Sequence, residues 1–309
     1  MRKRKILITP RSFAKNDDSS IKLLEKNGLT PVLNPRGQIM SEDEMIEIIK
    51  DCEGVIIGID PLTKRVLENA KILKAVAKYG VGTDNIDLIY LKKNGIKMSI
   101  TRGANSEAVA DYAFSLMLAL ARKVILIDKK AKEGNWGKIT THDVARKTLG
   151  LIGLGDIGKN MAKRAQGFDM KIIATDLFWD EKYAEENNIE KKVIDELMCE
   201  ADFISLHIPL SPDTKNLINQ RRINLMKSSA FIVNTARGGL IDENALLIAL
   251  KSKKIAGAGI DAFSVEPPED KRWFLFDNII IGSHAAASTI GAANNMSMMA
   301  AKNIINDLK

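Results

Sequence analysis

Cysteine, histidine and long apolar runs are all scarce in this chain, and each shortage removes a class of protein. Its 309 residues include two cysteines, Cys52 and Cys199, whose separation suits neither a bridge nor a metal site. That excludes a disulfide-built secreted scaffold and suits a reducing compartment. No stretch approaches the roughly 18 consecutive apolar residues of a membrane span. The basic start MRKRKILITP carries only about four apolar residues, so it reads as a first strand and not as a signal peptide. A soluble, cytoplasmic protein without a membrane partner is expected. Zinc-ligand spacing and an aromatic stacking pattern are also missing. The net charge of +7, from 46 basic and 39 acidic residues, therefore does not point to nucleic acid. Only Arg2 to Lys5 forms a basic block, and the other lysines alternate with Asp and Glu along helical stretches. The surface is basic in a general way that attracts small anions.

What is present is a regular alternation of strand and helix signals. At 309 residues and 45% hydrophobic content, two domains are the natural division. Before residue 100 the apolar runs KILIT, GVIIGI, LKAVAK and IKMSI alternate with amphipathic stretches such as IKLLEKNG and SEDEMIEIIKDC. Ser41 and Glu44 have the spacing of a capping box at the start of the latter. This predicts a small α/β domain with a parallel sheet covered on both faces. A helix of some 25 residues is predicted from Asn105, apolar on nearly every face in its first half, and so either buried all round or shared with a partner chain. A second series follows through TLGLIG, KIIATD, DFISLHI, AFIVNTA, AGAGID and NIIIGSH, and a last helix from about Ser288 could return to the first domain.

The stretch TLGLIGLGDIG (148–158) ends a strand in Gly153, Gly155 and Gly158, with GxGxxG spacing. About 20 residues on, KIIAT ends in Asp176, which completes the layout of a dinucleotide site. Gly153 permits the turn, Gly155 lets a pyrophosphate approach the backbone, and Gly158 lets the helix pack closely. The helix from Ile157 aims its free amides at the phosphates. A carboxylate at Asp176 accepts hydrogen bonds from the ribose 2′-hydroxyl of NAD and repels the 2′-phosphate of NADP. No arginine follows directly in LFWD, so NAD is the expected cofactor.

In open α/β sheets ligands bind beyond the carboxyl ends of the strands, which singles out Asp176, His207, Arg237, Asp261 and His284. Hydride exchange between NAD and an alcohol or ketone needs a group to move the hydroxyl proton, and histidine titrates in the useful range. Of His142, His207 and His284, the first reads as a surface residue. The residues alone do not separate the other two. Arg237 is suited to bidentate binding of a carboxylate. A glutamate beside the histidine would stabilise its charged form and fix its tautomer.

The stretches KYGVGTDNID (78–87), NSEAVAD (105–111), GLGDIG, NTARGGLID (234–242), GIDAFSVEPP (259–268) and SHAAAST (283–289) together resemble the D-2-hydroxyacid dehydrogenase family. The likeness is nearest to its phosphoglycerate dehydrogenase-like branch and covers essentially the whole chain. It implies two doubly wound parallel-sheet α/β domains, Rossmann-like and flavodoxin-like, with a cleft between them. Residues 1–102 and 286–309 would form the substrate domain and 103–285 the NAD domain. The resemblance assigns the catalytic roles to Arg237, Glu266 and His284, breaking the tie against His207. It puts His207 and Pro209 on the adenosine side and Asp261 at the nicotinamide carboxamide, with Asp156, Ile157, Thr235 and Ala236 completing the cofactor set. Val81 and Gly82 would hold the substrate carboxylate through their amides, with Lys78 and Asn105 beside them. No metal is implied.

Two departures stand out. Ser283 and Ala286 replace the proline and glycine usual around the histidine. Where phosphoglycerate-oxidising members carry an arginine at the end of the third apolar run, this chain has Ile57 and Gly58, although Lys78 could supply charge nearby. With no segment after Lys309, feedback through a regulatory domain is not expected. The expected protein is an NAD-dependent oxidoreductase acting on a small D-2-hydroxy acid or its keto acid, such as 3-phosphoglycerate, glycerate or lactate. It would be a homodimer joined through the helix from Asn105. Glu266 argues against formate dehydrogenase, which lacks that acid. The rival of another class is a dinucleotide-sensing corepressor on the same fold.

Overall fold

The computed structural model describes residues 4–309, so Arg2 and Lys3 of the basic block lie outside the described residues. The chain forms two compact units, Met1–Asn105 with Ser288–Lys309, and Ser106–Ala287.

The first unit is built on strands β1 (Arg4–Ile8), β2 (Leu29–Leu33), β3 (Cys52–Ile57), β4 (Ala75–Lys78) and β5 (Lys97–Ile100), all parallel, in the order β2-β1-β3-β4-β5. Alternate residues of one strand serve opposite faces. Leu7 joins Met45, Val55 and Val76 on one side, while Ile6 and Ile8 join Leu24, Ile56 and Ala77 on the other. That two-sided burial is why these strands read as continuous apolar runs. Strand β2, which the apolar runs did not announce, lies at the sheet edge, where Pro31 removes no needed ladder bond. The capping box is present: Glu44 N–H donates to Ser41 Oγ at 3.3 Å and Ser41 N–H to Glu44 Oε2 at 2.8 Å. The last helix, Ile290–Asp307, packs in this unit through Ala300, Ala301 and Ile304 against the β1 and β3 side chains. Gly54 makes room for it, since a Cβ there would lie 3.1 Å from Ile304.

The second unit holds β6 (Thr148–Ile152), β7 (Lys171–Thr175), β8 (Ile189–Lys191), β9 (Phe203–Leu206), β10 (Phe231–Asn234), β11 (Gly257–Ile260) and β12 (Ile279–Ile281), parallel in the order β12-β11-β10-β9-β6-β7-β8. Strand order reverses between β6 and β9, the switch point of a dinucleotide fold. Strand β8 was not legible because it is three mostly polar residues at an edge. The predicted 25-residue helix is two: Ser106–Ala121 ends where Lys123 takes a left-handed backbone (φ 49°), and Val124–Lys132 follows. The first of these is covered within its own unit by β10, β11 and the helix Asp156–Gln166, so its apolar faces need no partner chain. His142 is not simply a surface residue either, because its ring packs edge-on against Phe231 at 5.2 Å.

The crossover leaving β6 tolerates no side chain at Gly158, where a Cβ would stand 2.1 Å from the Gly153 carbonyl oxygen. Gly158→Ala is therefore expected to destabilise the second unit by about 1–3 kcal/mol, the usual range for overpacking. All three tryptophans, Trp136, Trp179 and Trp273, lie in that unit, so their fluorescence during urea unfolding reports on it. An unchanged midpoint would mean that the turn relaxes freely.

Candidate active site

The carboxyl edge of the second sheet begins with the glycine turn. After β6, Gly153 takes φ +102°, and a Cβ there would meet the His207 carbonyl oxygen at 2.5 Å. Gly155 differs from its neighbours: it caps the helix Asp156–Gln166, its φ is an ordinary −74°, and an added Cβ would meet nothing within 4 Å. No protein contact accounts for a glycine there, whereas a pyrophosphate resting on the helix start does. Asp156 and Ile157 open that helix. At the tip of β7 the Asp176 carboxylate accepts the Leu154 N–H at 2.6 Å and the Phe178 N–H at 2.7 Å. Two backbone amides thus aim this acid while leaving it lone pairs for a ribose hydroxyl.

On the next two strands the notable groups are unsatisfied ones. Six buried side-chain polar atoms lack a partner among the described residues, and His207 Nδ1 and Thr235 Oγ1 are two of them. Leu206 pairs with Asn234 across β9 and β10, so these two residues follow each other on adjacent strand ends. An orphaned polar group costs roughly 1–3 kcal/mol, and a polar ligand at this edge would relieve both. Together with Gly155 and Asp176, this edge fits a dinucleotide. His207 also bonds Ser205 Oγ through Nε2 at 2.9 Å, and burial pushes its pKa from 6.5 down to about 3. It is a neutral ring at ordinary pH. Pro209 is exposed two residues later, with its carbonyl accepting from Thr214 Oγ1 at 2.8 Å.

Arg237 stands on a turn built by Asn234. The buried amide of Asn234 accepts the Ala236 N–H at 3.0 Å and donates to the Arg237 carbonyl at 2.7 Å. Gly238 then passes so near the 263–264 backbone that a Cβ would fall 1.9 Å from Phe263 C. The guanidinium, half-buried, donates through Nη1 to the Ala236 carbonyl at 2.7 Å.

Asp261, fully buried after β11, organises the segment beyond β12. Its Oδ1 accepts the Ala285 N–H at 3.0 Å, its Oδ2 the Ala286 N–H at 2.9 Å, and its carbonyl the His284 N–H at 2.9 Å. Gly282 has to be a glycine, since a Cβ would sit 2.0 Å from Asp261 Oδ1. His284 itself takes φ 54°, a left-handed backbone that side chains other than glycine adopt at a cost. Its Nδ1 is 3.0 Å from both carboxylate oxygens of Glu266, and Glu266 Oε1 also accepts the Phe263 N–H at 2.9 Å. A carboxylate only accepts, so Nδ1 carries the hydrogen and Nε2 is the other working nitrogen.

Comparison with known proteins agrees with this geometry. Residues 114–286 match the family described as D-isomer specific 2-hydroxyacid dehydrogenase, NAD binding domain. The chain belongs to this family. It is 39% identical over 274 residues to a glyoxylate reductase of Korarchaeum cryptofilum, covering 86% of this chain and 82% of that one. It is 40% identical over 276 residues to a D-3-phosphoglycerate dehydrogenase of Methanocaldococcus jannaschii, covering 88% of this chain but 52% of that one. A solved D-lactate dehydrogenase from Aquifex aeolicus, complexed with NAD and lactic acid, superposes with TM-score 0.82 at 28% identity, over 96% of this chain and 93% of that one. The protein is accordingly an NAD-dependent oxidoreductase of the 2-hydroxyacid dehydrogenase type.

In this dehydrogenase, Asn234, Gly238 and Gly282 are the positioning residues that sequence reasoning missed. Each lay inside or beside a motif already noticed, but its role depends on a backbone contact with a distant segment. Of the first-unit residues, Val81 is exposed and Gly82 half-exposed, Asn105 ends the unit's first segment, and Lys78 is buried with its Nζ donating to Gly58 O and Asn85 Oδ1. The ammonium expected to supply charge to a substrate phosphate is thus engaged in internal bonds. Among the described residues no group of three or more His, Cys, Asp or Glu could hold a metal ion.

Two outcomes are expected. Gly155→Ala should leave stability within about 0.5 kcal/mol of wild type, as an uncrowded substitution does, yet weaken NADH binding at least tenfold by titration. Equal affinity would remove the pyrophosphate from Gly155. The second concerns acid. Because folded His207 titrates near 3 and the unfolded ring near 6.5, the unfolded chain binds the extra proton between those values. The stability this supplies is complete above pH 6.5 and is lost as pH falls towards 3, by up to about 1.4 kcal/mol per pH unit. His207→Asn should flatten that slope in fluorescence-detected unfolding, and an unaltered slope would locate the acid sensitivity elsewhere.

Proposed function

We propose that this enzyme reduces small, unphosphorylated 2-keto acids such as glyoxylate and hydroxypyruvate with NADH, and that His284 is its acid and base. The observation that carries the reading is the pairing of His284 Nδ1 with both oxygens of Glu266 at 3.0 Å, set against a half-buried His207 whose Nδ1 is shut off from solvent and whose pKa desolvation lowers to about 3. A ring held neutral by desolvation is a poor acid at neutral pH, whereas His284 is oriented through Nδ1 by a carboxylate and keeps Nε2 for a substrate. Bound NADH supplies the hydride to the carbonyl carbon. His284 gives the proton on Nε2 to the carbonyl oxygen, and Glu266 holds Nδ1–H and the developing balance of charge. Arg237 polarises the carbonyl and binds the carboxylate. In the first unit the Val81 and Gly82 amides are suited to a carboxylate, and Asn105 is a further candidate for substrate binding. Asp176 and the glycine turn take the adenosine half and the pyrophosphate, with His207, Pro209, Thr235 and Ala236 alongside, and Asp261 lies at the carboxamide end.

Preference for an unphosphorylated substrate rests on position 58. By the resemblance, Ile57 and Gly58 end the run that carries an arginine in phosphoglycerate-oxidising members, and a Cβ at Gly58 would lie 3.5 Å from Asp60 Oδ2, a buried carboxylate. Neither Ile57 nor Gly58 offers a phosphate dianion a side-chain hydrogen-bond donor. The similarity to a glyoxylate reductase supports the same choice, and the relatives named above give the corepressor alternative no support. The proposed dimer would join through the helix Val124–Lys132 rather than Ser106–Ala121, a reading supported by the exposure of Val124, Ile125 and Ile127 and by Trp136, which is 87% exposed. A cytoplasmic location agrees with the two free cysteines.

A panel of keto acids with NADH tests the reading. Glyoxylate and hydroxypyruvate should give the highest kcat/KM, NADH should exceed NADPH by at least about tenfold, or roughly 1.4 kcal/mol, and comparable turnover of a phosphorylated keto acid would sink the substrate assignment. His284→Ala should reduce turnover by about 10²- to 10⁴-fold with NADH affinity nearly unchanged. Glu266→Gln should lower kcat for reduction with NADH affinity nearly unchanged, since the carboxylate that holds His284 Nδ1 is gone. Should His207→Ala slow single-turnover hydride transfer at saturating NADH more than His284→Ala does, the histidine assignment is wrong.

A further inference from the structure

One buried cation in the first unit has no part in the chemistry so far. Lys78, 5% exposed at the end of β4, donates to the Gly58 carbonyl and, at 2.9 Å, to Asn85 Oδ1. Asn85 in turn donates through Nδ2 to the same Gly58 carbonyl at 3.1 Å and to the Asp60 carbonyl. The two side chains and the Gly58 carbonyl therefore close a three-way knot between the end of β3 and both ends of the segment 78–85. That segment is tied again near its start, where Tyr79 N–H donates to Ile57 O at 2.9 Å and Gly80 N–H to the buried Thr101 Oγ1 at 2.7 Å. At its far end Leu62 N–H donates to Asn85 O at 2.8 Å. Between these ties, after Gly80 at φ +120°, the Val81 and Gly82 N–H groups have no acceptor among the described residues.

Removing an ammonium from water is expensive and is tolerated where fixed acceptors receive it. Here the acceptors are the carbonyl that follows β3 and the Asn85 amide at the far end of the segment that Lys78 begins, so the ammonium joins both ends of that segment to β3 and stiffens it. We infer that Lys78 and Asn85 are positioning residues that preset the Val81 and Gly82 amides for a carboxylate, and that Lys78 is not a ligand for the substrate's variable group. This rests on the reading above in which those amides hold the carboxylate. Preset donors bind better than mobile ones because little ordering remains to be done on binding.

Steady-state kinetics of the full-length enzyme with glyoxylate and hydroxypyruvate, together with oxalate inhibition in the presence of NADH, test it. Glyoxylate has no substituent beyond the aldehyde for Lys78 to touch. Lys78→Met and Asn85→Ala should each raise KM for both acids, and Ki for oxalate, by the same factor of about 10 to 100, the scale of a misplaced binding group. The kcat should stay within about threefold and NADH affinity should not move, a split that general unfolding does not produce. The double variant should be little worse than either single one, because one knot is broken once. A KM change confined to the larger or phosphorylated acid, or a lost kcat at unchanged KM, overturns the proposal. Should Lys78→Met fail to fold, Asn85→Ser carries the same expectation. Gly82→Pro, which removes one amide hydrogen, separates the two claims. If it keeps oxalate affinity, the carboxylate reading itself fails; if it loses oxalate while Lys78→Met and Asn85→Ala do not, only the positioning role fails.

Discussion

A carboxylate with no exposed surface, Asp261, is the fixture on which the carboxyl edge of the second unit's sheet depends. Charge-assisted hydrogen bonds of this kind contribute roughly 1.5–3 kcal/mol each, and leaving such a group unpaired in the interior costs more. Its two oxygens therefore fix where Ala285 and Ala286 must be, and its carbonyl fixes the His284 amide. The left-handed backbone of His284, worth about 1–3 kcal/mol of strain, persists because these bonds over-determine it. Ser283 and Ala286, which depart from the family's usual residues, sit inside this clamp, so the loop owes its shape to Asp261 and Gly282 rather than to proline and glycine at those places.

The same sheet edge gives two histidines opposite properties. His207 is half-buried, bonded to a serine hydroxyl, and held neutral by desolvation. His284 faces a carboxylate that is itself held by the Phe263 amide. The two rings thus differ in partner and in exposure, one facing a hydroxyl and the other a carboxylate. The first unit shows a related economy, because Lys78, buried at a strand end, serves as a fastener of the 78–85 segment.

Much of this was legible in the sequence. The alternation of apolar runs with amphipathic stretches announced two parallel α/β sheets, and the strand–glycine–helix–strand–acid order announced the dinucleotide turn. Strands β2 and β8 were not legible, one carrying a proline and the other mostly polar, because edge strands are buried on fewer sides and need not be apolar. The long helix from Asn105 read as a single one because its apolar character continues past Ala121. The break at Lys123 is a matter of which half finds a sheet to cover it. Asn234, Gly238 and Gly282 escaped notice because a side chain or a missing Cβ acquires meaning only against the backbone it meets.

By itself the sequence determined the local chemistry: periodicity sets which residues face a sheet's two sides, and glycine spacing sets where a chain can turn sharply. It supplied the candidates at the strand ends but could not rank His207 against His284 without the family resemblance. Burial and partnership are properties of residues far apart in the chain, such as the 18 positions between Glu266 and His284. Only the tertiary structure brings them within 3.0 Å, desolvates the His207 ring, and ties Lys78 to Gly58, because desolvation and hydrogen-bond geometry exist only once distant segments share one volume.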